Sequence, residues 1–375
     1  MKQTLRVGAG AVTLSALLAL TACGGDSDSD SGSTDASGNK AATVQLAVAS
    51  AVTGPKEEVA TYAVAKEEGF LKEENLTVKT INADGSVAAV QAVASGSADI
   101  TPSDAGAILA AREKGVPVVA VGGLVQNWPW RIATTTDSKV KSADDLKGKK
   151  IGVISLASGS APYARAFVED AGLDPEKDVD LVPVGVGTQA LTALESGKVD
   201  ALALYTQAYT TIELTGKKFA YLENGERFEG IRSLTYAVRE DTLKKKGDAI
   251  ERFLRASYKG MLFSAVNPEA AMKDGYTVFP AILSGQKADD RIKNDSEILK
   301  TWVATATPAE GEPASFKDWG AISDEAWTKT ADYMKSAGQI TKDPDLKALW
   351  NDSLLKGAND FDAAAVISKA QSATK

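Results

Sequence analysis

The sequence predicts an α/β protein of two lobes, each a doubly wound sheet, with a helical C-terminal part. The first observation is a helix–strand motif at 90–105, VQAVASGSADITPSDA, which returns at 191–208 as LTALESGKVDALALYTQA. Aligned on Ser95-Gly96 and Ser196-Gly197, both copies read apolar-x-Ala-apolar-x-Ser-Gly-x-x-Asp-apolar. The second is the alternation of strands and helices around each copy. The third is a body of about 335 residues, more than one hydrophobic core usually supports. We therefore predict one α/β unit built twice.

Strand and helix signals alternate through the first part of lobe 1, predicted at 41–128. Thr43–Ser50 is the first buried strand, and Thr53-Gly54-Pro55 opens a helix that ends near Gly69. Further strands are predicted at 76–81, 99–101 and 116–124, with helices at 84–94 and 106–114 between them. The last strand, VPVVAVGGL, is apolar throughout, which is typical of a central parallel strand.

The chain is predicted to cross between the lobes at 126–130, so that lobe 2 spans 129–232. Its strands are expected at 131–136, 150–155, 180–184, 201–205 and 219–222, with helices at 139–146, 159–170, 188–194 and 207–214. Ser233–Arg239 is predicted to return the chain to lobe 1, whose second part is 233–375. Beyond Thr242 the pattern is helical, at 248–266, 269–277, 289–305, 323–337, 344–350 and 359–372.

The first 40 residues have the features of an export and anchoring segment. Met1–Ala22 has a basic start and an apolar run too short to span a bilayer, which predicts a signal peptide. The run ends in Leu-Thr-Ala-Cys, which resembles the lipobox of bacterial lipoproteins, and Cys23 is the only cysteine, so no internal disulfide can form. We expect a lipid on Cys23; an incidental cysteine behind an ordinary signal peptide is the alternative. Residues 23–40 lack large apolar side chains and are predicted to be a flexible linker.

Composition excludes several function classes. The chain has no histidine, which removes Ser–His and Cys–His nucleophilic machinery and His-containing metal sites. Its net charge of −8, without a basic run, disfavours nucleic acid as a partner. A carboxylate pair could still hydrolyse a glycoside, although no spacing points to one. We therefore expect a monomeric binding protein, not an enzyme, with no cofactor and no metal.

Four segments, in order, resemble a known family of transport proteins. AKEEGFLKEENLTVKTI, ASGSADITPSDAGAILAAREKGVPVVAV, DDLKGKKIGV and ESGKVDALALY are similar to solute-binding proteins of ABC importers for nitrate, sulfonates, taurine and thiamine pyrimidine precursors. The resemblance extends over about 43–355. It implies a two-lobed clamshell of the type II periplasmic-binding-protein kind with two crossings, whose partners are a small-molecule ligand, a permease and its ATPase subunits. It also implies a lipid-anchored protein on the extracytoplasmic face of a bacterial membrane.

In such a fold the ligand binds between the lobes, at the carboxyl ends of the strands. Ser158, Gly159 and Ser160 follow a strand and open a helix, so their hydroxyl and N–H groups are candidate donors to an anion, with N-capping as the alternative. Ser103 and Asp104 hold the matching place in lobe 1, where either residue could instead only cap its helix.

The remaining candidates lie at the crossing and in lobe 2. Gln126 and Trp128 can reach both lobes, although a Trp beside a proline more often packs a hinge. Thr188 starts a helix and could present its hydroxyl to the ligand or only cap that helix. Tyr205 and Gln207 end the second copy of the motif, and a phenol with an amide suits a polar ligand with a flat face.

The sequence leaves the ligand open between two classes. A small sulfonate, taurine or nitrate-type anion is the leading hypothesis, and a thiamine pyrimidine precursor or related heteroaromatic is the alternative. The stretch after the first strand, ASAVTGPKEE, lacks the aromatic residue and histidine that pyrimidine-binding relatives tend to carry there. The C-terminal WTKTADYMKSAGQI resembles the pyrimidine branch more closely. An enzyme on the same fold, or a lipoprotein without a transporter, are further alternatives.

Overall fold

A computed structural model describes residues 34, 38–50, 52–156, 158–308 and 311–373. The predicted signal peptide, Cys23 and most of the predicted linker lie outside these residues. The described residues form two five-stranded sheets with helices around them. The two-lobed α/β architecture predicted from the sequence is confirmed.

The first sheet has the strand order β2-β1-β3-β10-β4. Its strands β1, β2 and β3 are parallel, and β10 is inserted antiparallel between β3 and β4. The strands are β1 (Ala42–Val48), β2 (Leu76–Asn82), β3 (Ile100–Asp104), β4 (Val118–Gly123) and β10 (Leu234–Arg239). Between them, a π-helix (Val59–Ala63) leads into α1 (Val64–Glu67), followed by α2 (Phe70–Glu73), α3 (Gly85–Ser95) and α4 (Ala105–Glu113).

The second sheet repeats this plan in the order β7-β6-β8-β5-β9. Here β6, β7 and β8 are parallel, and β5 is inserted antiparallel between β8 and β9. The strands are β5 (Trp130–Thr135), β6 (Lys149–Val153), β7 (Val179–Pro183), β8 (Ala201–Tyr205) and β9 (Phe219–Tyr221), with helices α5 (Ser160–Asp170), α6 (Thr188–Glu195) and α7 (Thr206–Glu213). Each lobe therefore receives its inserted strand where the chain arrives from the other lobe.

The repeated Ser-Gly-x-x-Asp motif makes the same contacts in both lobes. Asp99 donates its N–H to the carbonyl of Gln45 at 2.8 Å, and its carboxylate accepts the N–H of the same residue at 2.9 Å. Asp200 makes the same pair of bonds with Lys150, at 2.8 and 2.9 Å. In each lobe the aspartate thus ties the start of the third strand to the first. The duplication inferred from the sequence is a structural one.

One strand does not have the environment that its composition predicts. The apolar segment 116–124 contains β4, which is an edge strand paired antiparallel with β10 and not a central parallel strand. Its apolar side chains are nevertheless buried on both faces, with Val119 and Val121 in one hydrophobic cluster and Val118 and Ala120 in another. At the outer edge of the strand, Trp350 of the C-terminal part forms a bridge to Ala120.

The C-terminal part is helical, as predicted, and packs around both lobes. It contains α8 (Glu240–Val266), α9 (Pro268–Val278), α10 (Ala288–Ala306), α11 (Asp324–Ser336), α12 (Leu346–Leu349), α13 (Leu355–Ala358) and α14 (Ala363–Ser372). The first of these begins eight residues before the predicted helix and has a non-helical residue at Lys246. The predicted helix at 139–146 is reduced to a 3₁₀ turn, Asp144–Leu146.

Two of these helices contact the second lobe or the crossings. Helix α10 packs against α7, with the hydroxyls of Thr210 and Thr301 3.1 Å apart. Tyr333 and Met334 of α11 belong to a hydrophobic cluster that also contains strands and helices of lobe 2. Across the described ranges, no helix is both long and apolar enough to cross a membrane.

Candidate functional site

The two crossings run side by side and are tied to each other. The chain passes between the sheets at 124–129 and again at 222–233, and the predicted boundaries at 128/129 and 232/233 fall in these segments. The backbone N–H groups of Gln126 and Asn127 both donate to the carbonyl of Thr305, at 2.8 and 2.9 Å. Arg232 donates from its guanidinium to the carbonyl of Gln126. The hinge is therefore anchored to the end of α10.

A cluster of aromatic rings fills the space beneath the crossings. The ring of Trp128 lies 5.8 Å from Phe228, 6.0 Å from Tyr163 and 5.0 Å from Tyr333, measured between centroids. Phe228, Tyr163 and Tyr333 are buried, whereas Trp128 is partly exposed. This places Trp128 in hinge packing, the alternative considered for it. Its indole Nε1 is buried and has no hydrogen-bond partner among the described residues.

A second tryptophan carries this aromatic surface into lobe 2. The ring of Trp130 lies 6.2 Å from Tyr163 and 5.8 Å from Tyr205, the latter in an edge-to-face arrangement. Its carbonyl accepts a bond from the Asn224 amide, whose oxygen accepts the Tyr163 hydroxyl at 2.6 Å. Burial raises the pKa of Tyr205, so its phenol stays protonated and remains a donor at neutral pH. Trp130 had no predicted role.

The predicted serine loop of lobe 2 folds as a helix start. Helix α5 begins at Ser160, whose buried hydroxyl accepts the Ile154 N–H at 2.9 Å and lies 2.6 Å from the Ser158 hydroxyl. Ser158 also donates to the carbonyl of Ser155 at 2.8 Å. Gly159 is exposed, and a Cβ there would lie 3.0 Å from Cζ2 of Trp130. The two hydroxyls bond within the loop, and Gly159 permits close approach to the indole.

The matching pair in lobe 1 is also bonded internally. Ser103 is fully buried, and its hydroxyl is 3.1 Å from that of Thr101. Asp104 caps α4 by accepting the Gly106 N–H at 2.9 Å, and it also accepts the Ser233 hydroxyl at 3.3 Å. Burial raises the pKa of Asp104, although both of these bonds oppose the shift. Asp104 therefore carries the capping role considered for it.

Three predicted site residues remain, Gln207, Gln126 and Thr188, and Thr188 lies apart from the other two. Gln207 is buried in the first turn of α7, where its side-chain oxygen accepts the Thr206 hydroxyl at 3.3 Å. Gln126 lies at the crossing, and its side chain donates to the carbonyl of Ala306 at 3.5 Å. Thr188 instead lines a separate open cavity of about 540 Å³ beside the edge strand β7. Trp128, Tyr205 and Gly159 are thus joined through one aromatic surface, and Thr188 lies away from it.

Charged side chains after β1, which the sequence reading did not single out, face this surface from lobe 1. Lys56 bonds to Glu57 at 2.8 Å and to Glu58 at 2.9 Å, and Glu58 also accepts the Gly54 N–H at 2.7 Å. Burial raises the pKa of Glu58 to about 7, while Lys56 opposes the shift. Lys56 lowers and Glu57 raises the pKa of Tyr205, so both charges lie near enough to the phenol at the end of β8 to act on it. The π-helix that follows the triad is a local feature often found at functional sites.

Known proteins share both the sequence pattern and the fold. Residues 56–271, more than half of the chain, match the family model described as NMT1/THI5 like. The chain belongs to the NMT1/THI5-like family. Two relatives are the riboflavin-binding protein RibY of Chloroflexus aurantiacus and the formylaminopyrimidine-binding protein of Halalkalibacterium halodurans. RibY is 24% identical over 67% of this chain and 69% of its own length; the second is 26% identical over 56% and 63%.

Solved structures show the fold of this NMT1/THI5-like protein. The periplasmic aliphatic sulphonate binding protein SsuA of Escherichia coli superposes with a TM-score of 0.60 at 17% identity, covering 83% of this chain and 92% of SsuA. The predicted periplasmic-binding-protein clamshell and the predicted family are confirmed. The chain therefore combines an NMT1/THI5-like sequence with the fold of the sulphonate binding protein SsuA. Among the described residues no group of three or more acidic or thiol side chains is placed to hold a metal ion.

Proposed function

We propose that this protein is the extracytoplasmic receptor of an ABC importer and that it captures a flat heteroaromatic solute between its two lobes. The observation that carries the proposal is the aromatic surface at the carboxyl edge of the second sheet. Trp130 packs edge-to-face with Tyr205 there, and Gly159 lies so close to the indole that a Cβ would come within 3.0 Å of its Cζ2. Offset and edge-to-face contacts with aromatic rings suit a planar solute. The names of RibY and of the formylaminopyrimidine-binding protein support the same class.

Closure of the lobes would complete the site. The Lys56–Glu57–Glu58 triad of lobe 1 faces Tyr205 of lobe 2, so a solute between them meets charged groups on one side and rings on the other. A ligand that contacts both lobes favours the closed state by the contacts that the open state lacks. A shift from 1:99 to 99:1 needs about 5.5 kcal/mol of such preference.

A second candidate is the small sulfonate, taurine or nitrate-type anion expected from the sequence. The observation in its favour is a set of buried N–H groups that have no acceptor within the described chain; two belong to Trp128 and Arg232 at the crossings and one to Arg131 at the start of β5. Donors without acceptors match a solute rich in oxygen atoms.

Calorimetry with the protein purified without refolding separates the two candidates. The panel is riboflavin, an aminopyrimidine, taurine, an alkanesulfonate and nitrate. The proposal predicts binding to a heteroaromatic compound, with at least tenfold weaker binding in a Tyr205→Ala variant. Binding confined to the sulfonates or nitrate would replace the first candidate by the second. Failure of all five compounds to bind would contradict both.

We also propose that the protein is a binder without catalytic turnover. The sequence has no histidine, and two buried carboxylates near the aromatic surface, those of Glu57 and Glu58, are already paired with Lys56. Mass spectrometry of each bound compound after long incubation should recover it unchanged. A product that forms with wild-type protein and not with Glu58→Gln would establish an enzyme.

The proposed location is the outer face of the cell membrane, through a lipid on Cys23. Metabolic labelling with a fatty acid should mark the wild-type protein and not a Cys23→Ala variant. Equal labelling of both, or of neither, would contradict the anchor.

A further inference from the structure

Arg232 differs from the other arginines that the structure describes. Seven of them pair with a carboxylate: Arg112, Arg165, Arg227, Arg239, Arg252, Arg255 and Arg291. Arg131 lies over the ring of Tyr221 at 5.2 Å. Within the described ranges, Arg232 has neither an acidic nor an aromatic partner.

Arg232 carries its charge in a partly buried position where no carboxylate of the described residues stabilises it. The side chain donates one bond to the carbonyl of Gln126, and its Nε is buried without a partner in the described chain. Burial lowers the pKa of Arg232, and no carboxylate opposes that shift. A guanidinium remains charged in proteins, so this one is held as a cation in a partly desolvated place.

Trp128 occupies the equivalent position in the other half of the molecule. Trp128 lies two residues before β5, as Arg232 lies two residues before β10. The strand pairing agrees as well. Trp130 pairs with Tyr205 and Leu234 pairs with Asp104, and Tyr205 and Asp104 occupy the same position in the two copies of the repeated motif. Each crossing thus brings one side chain with donor groups only, and each has a buried N–H without a partner in the described residues.

Both residues contact the same face of one helix, Arg232 through its backbone and Trp128 through its ring. The backbone N–H of Arg232 donates to the Thr330 hydroxyl at 2.9 Å, and the ring of Trp128 lies 5.0 Å from that of Tyr333. Thr330 and Tyr333 are three residues apart on α11 and therefore neighbours on its surface. The guanidinium also bonds to Gln126, two residues before Trp128.

We propose that Arg232 and Trp128 form an oxyanion subsite at the hinge, which holds a carboxylate, sulfonate or phosphate group of the transported solute. This inference rests on the proposed function, because it places one end of the solute at the crossings while its flat part lies toward Trp130. An Arg supplies charge and fixed donors to an oxyanion, and the indole adds a donor with no acceptor. Because the two residues stand on the two crossings, occupation of the subsite couples anion binding to the hinge.

The test compares two flat probes of the same shape, benzenesulfonate and the uncharged benzenesulfonamide, by calorimetry on the full chain. Wild-type protein should bind the sulfonate at least tenfold more tightly. Arg232→Gln should bring that ratio close to one, and Arg232→Lys should restore part of it. Trp128→Phe, which keeps a ring in the aromatic cluster, should weaken sulfonate binding by threefold or more.

Arg165→Gln is the matched control, since Arg165 is a partly exposed, ion-paired arginine of lobe 2 and its substitution should leave the ratio unchanged. The proposal is overturned if wild-type protein shows no preference for the sulfonate, if neither probe binds, or if Arg232→Gln keeps the full preference. Binding of an uncharged heteroaromatic from the calorimetry panel together with any of these results would leave the proposed function standing and remove the oxyanion subsite alone.

Discussion

Replacing Asp99 with alanine should destabilise the protein more than the same change at Asp200, although the two residues make identical backbone contacts. Asp99 has a side chain 12% exposed, whereas that of Asp200 is 38% exposed. When the carboxylate is removed, the N–H of Gln45 loses its acceptor at a position that solvent water hardly reaches. The N–H of Lys150 can bond to water instead.

The magnitudes follow from the bonds that each substitution removes. A hydrogen bond to a charged group contributes about 1.5–3 kcal/mol, and a partly exposed ion pair contributes up to about 1 kcal/mol. Asp99 has both, since Lys246 lies 2.9 Å from its carboxylate, so we expect a loss of about 2–4 kcal/mol. The ion pair of Asp200 with Lys149 is longer, at 3.8 Å, and Asp200 is more exposed, so we expect its replacement to cost about 1 kcal/mol.

Urea unfolding followed by circular dichroism measures both losses. The corresponding asparagine variants serve as controls, because an amide oxygen still accepts the backbone N–H and only the charge is lost. Each Asn variant should therefore lie between wild type and its Ala partner. Equal losses for the two alanine variants, or a larger loss at Asp200, would refute the argument that burial sets the difference.

Three further predictions concern buried groups outside this motif. Burial, reinforced by Glu68 and Glu67, raises the pKa of Asp274 from 3.8 to about 7. The native state then holds a proton that the unfolded state releases, so stability falls as pH rises through that interval. Asp274→Asn should remove the fall and stabilise the protein by about 1–2 kcal/mol at pH 8, after discounting for solvent screening, in urea unfolding at pH 5 and 8; an unchanged pH slope would contradict this. Tyr163→Phe should cost about 1–2 kcal/mol in thermal unfolding, because the partly buried oxygen of Asn224 loses its donor, and a neutral effect would show that this bond contributes little. Gly122→Ala should cost about 1–3 kcal/mol, because the added Cβ would lie 2.3 Å from the hydroxyl of buried Tyr258; full stability would mean that this ring can move aside.

The duplicated architecture could be predicted because it depends on short-range sequence signals. Glycine after a helix and aspartate before a strand recur at the same spacing, and the structure gives Asp99 and Asp200 the same bonds. The inserted strands β5 and β10 were located along the chain, but their antiparallel insertion depends on partners a hundred residues away. This long-range pairing is why β4 was misplaced as a central strand.

The candidate site was only partly predictable, for related reasons. Tyr205 and Trp128 can be proposed from the sequence because one ends a repeat and the other interrupts a strand pattern. No sequence pattern singles out Lys56 and its two glutamates, because their ion pairs and their effect on Tyr205 depend on the fold. Arg232 could not be predicted from the sequence either, because the lack of a hydrogen-bond partner for its Nε among the described residues is visible only in the three-dimensional structure.

A crystal structure of the protein with its native solute, purified without refolding, tests the central claim most directly. We expect density between the carboxyl edges of the two sheets, in contact with Trp130 and Tyr205 on one side and with the loop that carries Lys56 on the other. Solute bound instead in the open cavity beside β7, or in the cavity of about 440 Å³ near Trp350, would contradict it.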